Sequence, residues 1–379
     1  MVGNEFGLPP ATDEIEICLF GPGYGESILL HLGRNDWAII DSCLSRFKTP
    51  APIEYLKALG LRPSEVVKLV VATHWHDDHV GGLGSIVREA ESAKFVCSEA
   101  LNAEEFLTLV RAYKARAMLT SPGVKEFNDV IDVLNQRSRT KLGIGTPTWA
   151  IANRPIWGRS AEGDSPFRVE VISLSPSDAS VTHGKYEIAS LVPHEGEAKT
   201  RVSPRRPNHT AVVLWIRAGS NRILLGSDLE VTSEPSTGWT AILDSPERPQ
   251  GKASVVKVAH HGSVTAHEPR TWSEMLHPHP TAVLTPFVRG KVALPTRADA
   301  IRVCGQSQNS YSTANNRPKE RKSRHQVVNK TIREVVRSIQ EVPLSSGMIR
   351  LRKGGLIEDN VEWNVQLFGT ALRLQELCP

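Results

Sequence analysis

The sequence of 379 residues contains no apolar run near the roughly 20 residues that a membrane-spanning helix requires. Its N-terminus lacks the basic segment and following apolar segment of a secretory signal peptide. Cysteine is scarce, and an odd, dispersed set argues against the disulfide framework of a secreted domain. The five cysteines are Cys18, Cys43, Cys97, Cys304 and Cys378. These absences predict a cytoplasmic protein that does not interact with a membrane.

The sequence also lacks a strong excess of one charge, with 45 basic and 41 acidic residues and a net charge of +4. This mild basicity is compatible with an anionic substrate but does not require one. Hydrophobic residues make up 40% and charged residues 23%, which is ordinary for a globular protein with a sizeable core.

Short apolar segments separated by glycines predict β-strands at the start of the chain and again in its middle. Between residues 178 and 207 the sequence is polar, and we expect a loop there. Strands on either side of a strand–helix–strand centre predict an α/β protein, an αββα sandwich. We expect one catalytic domain over residues 1–300, with a helical insertion at about 98–165. An extension over 301–379 would contain a basic flexible loop, a helix at Thr331–Ile339 and two strands.

The segment Thr73-His74-Trp75-His76-Asp77-Asp78-His79 follows an apolar strand and has three histidines within six residues. Imidazole and carboxylate groups together suit Zn²⁺, and also Mn²⁺ or Fe²⁺. His74 and His76, two residues apart on an extended segment, can face one ion, and Asp78 and His79 can face a second. The alternative is a solvated polar loop, but an apolar strand leading into H-x-H-x-D-H favours a metal site.

This H-x-H-x-D-H segment resembles the hallmark of the metallo-β-lactamase superfamily. The resemblance implies a hydrolase with two divalent metal ions, Zn²⁺ or Mn²⁺. It also implies that Asp41 supports the metal loop, that Asp228 bridges the ions and that His261 is a ligand. Asp78 and His260 are then the expected catalytic residues, with His260 facing the substrate and protonating a leaving oxygen.

The superfamily usually supplies a third histidine to the first metal. His183, His194 and His209 are the candidates, and only His209 directly precedes a convincing strand. It is either a ligand or a polar loop residue. If none of the three histidines binds, the first site is weak or is completed by water.

Further segments resemble the soluble hydrolase domain of the competence protein ComEC and its stand-alone relatives. They are Gly23–Ile28, the strand entry at Asn208–Ala211, Gly226–Glu230 and Lys257–Ser263. Glu26 stands where an aspartate is usual and Ala211 where a serine is common, and Leu294 stands before Pro295 where a histidine is usual. These departures bear on substrate identity more than on hydrolysis.

Basic residues precede Asn208 and form a second cluster at 317–324, and such patches can neutralise backbone phosphates. Candidate substrate-binding residues are Arg201, Arg205, Arg206 and Asn208. The leading hypothesis is a phosphodiesterase or nuclease acting on DNA or RNA. Under this hypothesis, we expect a role in bacterial phage defence beside a partner protein from the same operon. The alternatives are a hydrolase of a small ester, thioester or phosphocholine-type substrate, and a metal-binding scaffold subunit of a complex.

Overall fold

Strands of mostly three to seven residues organise the protein. The computed structural model describes residues 6–21, 25–114, 122–139, 145–161, 168–192, 207–289, 292–315, 346–354 and 362–378, without the side chains of 112–114, 122 and 207. The predicted helix at 331–339, the basic cluster at 317–324, His194 and the basic residues Arg201, Arg205 and Arg206 lie outside the described residues.

The described residues form two eight-stranded sheets and one two-stranded hairpin. The first sheet has the order β17-β16-β1-β2-β3-β4-β5-β6, the second β18-β15-β12-β11-β10-β9-β8-β7, and β13 pairs with β14. The strands are β1 Ile15–Gly21, β2 Ser27–Leu32, β3 Trp37–Ile40, β4 Val67–Ala72, β5 Lys94–Ser98, β6 Thr148–Ala150, β7 Arg154–Arg159, β8 Val169–Ser173, β9 Leu214–Ala218, β10 Asn221–Leu225, β11 Ala253–Lys257, β12 Leu276–Leu284, β13 Phe287–Arg289, β14 Val292–Leu294, β15 Ser310–Ser312, β16 Gly347–Lys353, β17 Asn364–Phe368 and β18 Leu372–Arg373.

Helices cover the outer faces of both sheets. They are α1 Ala51–Ala58, α2 Pro63–Val66, α3 Asp77–Val80, α4 Leu83–Glu89, α5 Glu104–Lys114, α6 Pro122–Arg139, α7 Asp178–Leu191, α8 Gly238–Leu243 and α9 Arg297–Gln306. None of the helices within the described ranges has the length and apolar character needed to cross a membrane.

Three apolar clusters explain this layering, because each sheet must bury both faces. Residues such as Ile17, Val71 and Leu214 fill the space between the two sheets. A second cluster packs helices α1, α4, α5 and α6 on the first sheet. A third packs α8 and α9 on the second sheet. This arrangement confirms the predicted αββα sandwich.

The stretch 178–207 differs from the expected loop, since its first part is helix α7. Ser177 caps this helix by accepting a hydrogen bond from the backbone N–H of Ser180, and Val181 and Ile188 are buried on its inner face. The prediction was wrong because these apolar positions are widely spaced among polar ones.

The C-terminal strands enter both sheets rather than forming a separate layer. Strand β16 pairs antiparallel with β1 over seven residue pairs, from Ile15–Lys353 to Gly21–Gly347. Strand β18 pairs with β15 in the second sheet. The last described residues are therefore part of the sandwich.

Candidate metal centre

The candidate centre lies where strands of both sheets end. The Thr73–His79 segment follows β4, Asp228 follows β10, and His261 follows β11. Strands β3 and β4 are parallel, as are β10, β11 and β12. Their carboxyl ends therefore meet at one edge, where loops can bring together residues distant in sequence.

The backbone is strained at this edge. Four non-glycine residues here have positive φ: Asp41 (59°), Ser227 (47°), His260 (47°) and His261 (54°). Such conformations are uncommon for L-residues and persist where surrounding structure enforces them, often at functional sites. The strain therefore coincides with the residues that the sequence singled out.

Four side chains converge on one point. Asp78 Oδ2 lies 3.6 Å from His79 Nε2 and 3.2 Å from His261 Nε2. Asp228 Oδ2 lies 3.3 Å from each of the same two nitrogens. Ligand bonds of about 2.0–2.1 Å in a tetrahedral zinc site would separate neighbouring ligand atoms by about 3.3 Å. The residues present therefore fit a divalent ion.

Hydrogen bonds behind the histidines fix which nitrogen faces this point. His79 Nδ1 lies 2.8 Å from Asp41 Oδ2, and His261 Nδ1 lies 3.1 Å from the Thr285 carbonyl oxygen. Each acceptor requires the proton on Nδ1, and this network assigns the lone pair to Nε2 in the neutral ring. Outer partners of this kind are typical of histidines that bind metals.

Hydrogen bonds orient the ring of His74 in the same way. The Thr73 hydroxyl donates to Asp41 Oδ2 at 2.8 Å, so it accepts from His74 Nδ1 at 3.0 Å. Asp41 also accepts from the Thr73 backbone N–H at 2.7 Å. The carboxylate of Asp41 thus holds the first residue of the metal loop and the ring of His79.

Several polar atoms of the loop are buried without a hydrogen-bond partner, although buried polar groups are normally paired. They are His74 Nε2, His76 Nδ1, Asp78 Oδ1 and His79 Nε2. His76 Nδ1 is 3.2 Å from Asp78 Oδ1 but lacks hydrogen-bond geometry. The rings of His74 and His79 are 4.3 Å apart. A bound cation would satisfy these atoms.

The pKa values of the histidines in the cluster follow from burial and from nearby opposite charges. Burial opposes a charged His261, but Asp228, Asp78 and Glu26 raise its pKa to about 10. The same competition raises the pKa of His79 well above its usual value. Burial, together with the positive charges of His79 and His76, lowers the pKa of His74 well below its usual value, so this ring remains neutral. The histidines near the carboxylates therefore carry protons that a cation would replace.

Glu26 and Lys257 form a buried pair that sequence reasoning missed. Lys257 Nζ lies 2.5 Å from Glu26 Oε1, 3.4 Å from Asp228 Oδ1 and 2.8 Å from the Ser227 carbonyl oxygen. Both side chains are at most 2% exposed. The available signal was a lysine ending an otherwise apolar strand, β11. The ammonium group neutralises Glu26 and holds one oxygen of Asp228, which leaves the other oxygen facing the histidines.

Glu26 also belongs to a four-residue group whose potential ligand atoms lie within 4.8 Å of one another: Glu26, His79, Asp228 and His261. Its oxygens, however, are nearest the Nδ1 atoms of the two histidines, at 3.9 Å from His79 and 3.7 Å from His261. A ring that directs Nε2 toward Asp228 cannot also direct Nδ1 to the same ion. Asp78 rather than Glu26 therefore completes the convergent set.

His209, the candidate third ligand of the first site, lies beside Glu230. Its Nε2 lies 3.9 Å from Glu230 Oε2, and Glu230 Oε1 lies 3.2 Å from His260 Nδ1. Asn208 Nδ2 lies 3.3 Å from His260 Nε2. His183, the other described candidate, lies 3.6 Å from Glu234 and is largely exposed. Asn208, Glu230 and His260 thus line one side of the centre.

The β13–β14 hairpin lines another side. The ring of Phe287 stacks on His261, with centroids 5.3 Å apart and an interplanar angle of 27°. At the other end of β13, Arg289 Nη1 lies 4.0 Å from Asp77 Oδ2, and this side chain is 47% exposed. The hairpin therefore brings an aromatic ring and a guanidinium group to the metal loop.

Helix α6, in the predicted insertion, supports the metal loop from outside. The backbone N–H of Gly123 donates to Asp77 Oδ1 at 3.0 Å. A Cβ at Gly123 would lie 2.4 Å from the Trp75 carbonyl oxygen. Asp77 thus caps this helix, and only glycine allows the close approach.

We expect Gly123→Ala to destabilise the protein by about 1–3 kcal/mol, because the methyl group must displace backbone of the metal loop. The control is Gly305→Ala in α9, where an added Cβ meets nothing within 4 Å. That change is expected to stabilise by about 0.5–1 kcal/mol through helix propensity. Urea unfolding measures both variants. Equal effects of the two substitutions would contradict the proposed contact.

The sequence profile of the metallo-β-lactamase superfamily matches residues 20–270. No curated protein matches the chain significantly. Similar solved structures include the metallo-β-lactamase fold protein YhfI from Bacillus subtilis, with 13% identity and a TM-score of 0.36 over 80% of this chain and 98% of that chain. The metallo-β-lactamase SMB-1 has 14% identity and a TM-score of 0.34 over 70% and 87%. Zn²⁺-bound PqqB from Methylobacterium extorquens has 15% identity and a TM-score of 0.29 over 62% and 56%.

Members of the matched superfamily are generally metal-dependent hydrolases, and the match covers the metal loop, Asp228 and His261. The family assignment rests on this match, which includes well over half of the residues. The chain belongs to the metallo-β-lactamase superfamily.

Proposed function

We propose that the protein is a metallohydrolase that cleaves phosphodiester bonds in DNA or RNA. The hydrolytic activity in this proposal rests on the convergence of two carboxylate oxygens and two histidine Nε2 atoms. Each oxygen lies 3.2–3.6 Å from each Nε2 atom. Asp78, His79, Asp228 and His261 would hold one ion, and His74 and His76 would contribute to a second. Zn²⁺ and Mn²⁺ both suit these donors.

Divalent ions bound there would lower the pKa of a water molecule and neutralise charge on a phosphoryl or carbonyl oxygen. The protein's own groups would position the reactants. Asp78 has a second oxygen, Oδ1, without a hydrogen-bond partner, and it can accept a proton from the attacking water. His260, held by Glu230 and Thr265, would face the leaving oxygen and donate a proton to it.

Two observations support a polyanionic substrate. The guanidinium group of Arg289 stands at the edge of the centre, where it can pair with a phosphate. The basic segment containing Arg201, Arg205 and Arg206 leads directly into Asn208, which contacts His260. Such groups would bind backbone phosphates in a salt-dependent manner.

A second basic segment, 317–324, follows β15 in sequence. Strand β15 is parallel to β12, and the backbone N–H of Thr313 donates to Leu284 at the end of β12. The chain thus leaves the described sheet beside Thr285, which contacts His261. The lysine and arginine residues of segment 317–324 would bind backbone phosphates in the same salt-dependent manner. The proposal also includes membership of a ComEC-like branch and a cytoplasmic location. It further includes a role in phage defence with a partner protein from the same operon.

The test is cleavage of plasmid DNA, single-stranded DNA and RNA by protein reconstituted with Zn²⁺ or Mn²⁺. We expect cleavage that EDTA abolishes, that the added metal restores, and that falls steeply between low and high salt. Parallel assays with nitrocefin, p-nitrophenyl acetate and bis-p-nitrophenyl phosphate separate the alternatives.

Three results of these assays would refute different parts of the proposal. Turnover of the carboxylic ester or the lactam alone would refute the phosphodiester substrate but retain the hydrolase. Full metal content without turnover of any substrate would refute hydrolysis and favour the scaffold alternative. Failure to bind either metal would refute the centre itself.

A further inference from the structure

Two of the five cysteines, although distant in sequence, lie side by side in the folded protein. Cys304 Sγ and Cys378 Sγ lie 3.5 Å apart, and the residues are 74 positions apart in sequence. Both are partly exposed, whereas Cys18, Cys43 and Cys97 are buried. A disulfide bond is about 2.0 Å long, so a movement of about 1.5 Å would join the two sulfur atoms.

The two cysteines lie on elements that already pack together. Cys304 is in the last turn of α9, and Cys378 follows the 3₁₀ turn Leu374–Leu377. Leu374 and Leu377 are buried in the same apolar cluster as Val303 of α9. The side-chain amide of Gln375 also donates to the Gln308 carbonyl oxygen beyond the helix. This packing holds the thiols close together before any bond forms.

Helix α9 also contacts the metal centre. Arg302 donates to the Gly262 carbonyl oxygen at 2.6 Å and to Asp299 Oδ1 at 2.7 Å. Gly262 directly follows His261 in the chain. Any restraint on α9 therefore acts on an element that holds the turn containing His261.

We infer that Cys304 and Cys378 are a reversible disulfide site that fastens the C-terminal turn to α9. The oxidant is a low-molecular-weight disulfide such as oxidised glutathione. The Cys378 thiolate attacks one glutathione sulfur, breaks its S–S bond and releases one glutathione thiolate. The Cys304 thiolate then attacks the Cys378 sulfur, forms the protein disulfide and releases the second glutathione. Both thiol protons pass to the departing glutathiones, which are reduced as the two protein sulfurs are oxidised.

This order of attack follows from the surroundings of Cys304. Burial and the neighbouring thiol raise the pKa of Cys304 to about 12, so its thiolate is scarce at neutral pH. Once the mixed disulfide forms, the second attack is intramolecular and its reactants are already adjacent. The first step is therefore expected to be slow and the second fast.

The test treats the full-length protein with oxidised glutathione and analyses a non-reducing tryptic digest by mass spectrometry. We expect one cross-linked pair, Val303–Lys319 joined to Leu374–Pro379, and loss of two of the five thiols counted after unfolding. Because the bond closes a long loop, Tm should rise by about 5 °C and return after reduction. Hydrogen exchange in 297–306 and 374–378 should slow in parallel.

Cys304→Ser and Cys378→Ser are the matched controls, since each removes one partner only. Neither variant should lose two thiols or gain thermal stability with the oxidant. A cross-link between two chains, a stable glutathione adduct in place of the internal bond, or a bond that leaves Tm unchanged would each overturn the inference. None of these readouts depends on metal or substrate, so their failure is separate from a failure of the proposed hydrolysis.

Discussion

Replacing Lys257 with methionine is expected to lower the free energy of unfolding of the metal-free protein by about 3–5 kcal/mol. The ammonium group is fully buried and lies 2.5 Å from Glu26 and 3.4 Å from Asp228. Without it, the buried carboxylates of Glu26 and Asp228 lose the positive charge that they share. Methionine has a similar length, so the effect reports lost charge more than lost volume. Urea unfolding after EDTA treatment measures it.

The double variant Glu26→Gln/Lys257→Met distinguishes charge from packing. It removes both charges and keeps an oxygen that accepts the Thr285 hydroxyl hydrogen bond. We expect it to recover more than half of the stability that the single variant loses, a coupling typical of paired buried charges. Lys252→Met is the control, since Lys252 is exposed and bonds only the Ser273 carbonyl oxygen in the described structure; it should change stability by less than about 0.5 kcal/mol. Equal losses in the single and double variants would contradict the pairing.

Asp228→Asn is expected to reduce metal affinity and hydrolysis strongly. The loss should exceed the roughly 10–100-fold that is typical when a residue hydrogen-bonded to a metal ligand is replaced. Asp228 Oδ2 lies 3.3 Å from both His79 and His261, so it is central to the convergent set. The amide has nearly the same shape but removes the negative charge that a divalent ion requires. Metal content after dialysis and turnover of bis-p-nitrophenyl phosphate measure the two effects.

The matched control is Asp244→Asn. Asp244 is 53% exposed and pairs with Arg270 on the surface at 2.8 Å. It should retain full metal content and activity. Unchanged metal affinity in Asp228→Asn, with the protein folded by circular dichroism, would exclude Asp228 as a ligand.

The sequence predicted the fold because its strongest signals are local. The apolar strand β4 leads directly into H-x-H-x-D-H, and the spacing of His74, His76 and His79 requires no knowledge of the rest of the chain. The order of Asp41, Asp228 and His261 then followed from the family resemblance. Their convergence depends on parallel strands ending at one edge, which the alternating strand and helix pattern already favours.

Other features depend on contacts between distant residues and were not visible in the sequence. Glu26 and Lys257 are 231 positions apart, and only the packing of the two sheets brings their charges together. The sequence assigns no separate role to Asp77, yet this residue caps α6 at Gly123. His209 precedes a strand as expected, and its role as third ligand stays a prediction, whereas the position of Glu230 near both His209 and His260 could not be read from the sequence. Such tertiary pairings leave no periodic signal.

The central claim is that Asp78, His79, Asp228 and His261 bind one divalent ion. Anomalous X-ray diffraction at the zinc absorption edge, on crystals of the protein grown with Zn²⁺, tests it most directly. We predict a peak bonded to Asp78 Oδ2, His79 Nε2, Asp228 Oδ2 and His261 Nε2 at about 2.0–2.2 Å. A peak bonded to Glu26 in place of Asp78, or no peak at this point in zinc-saturated protein, would contradict the account.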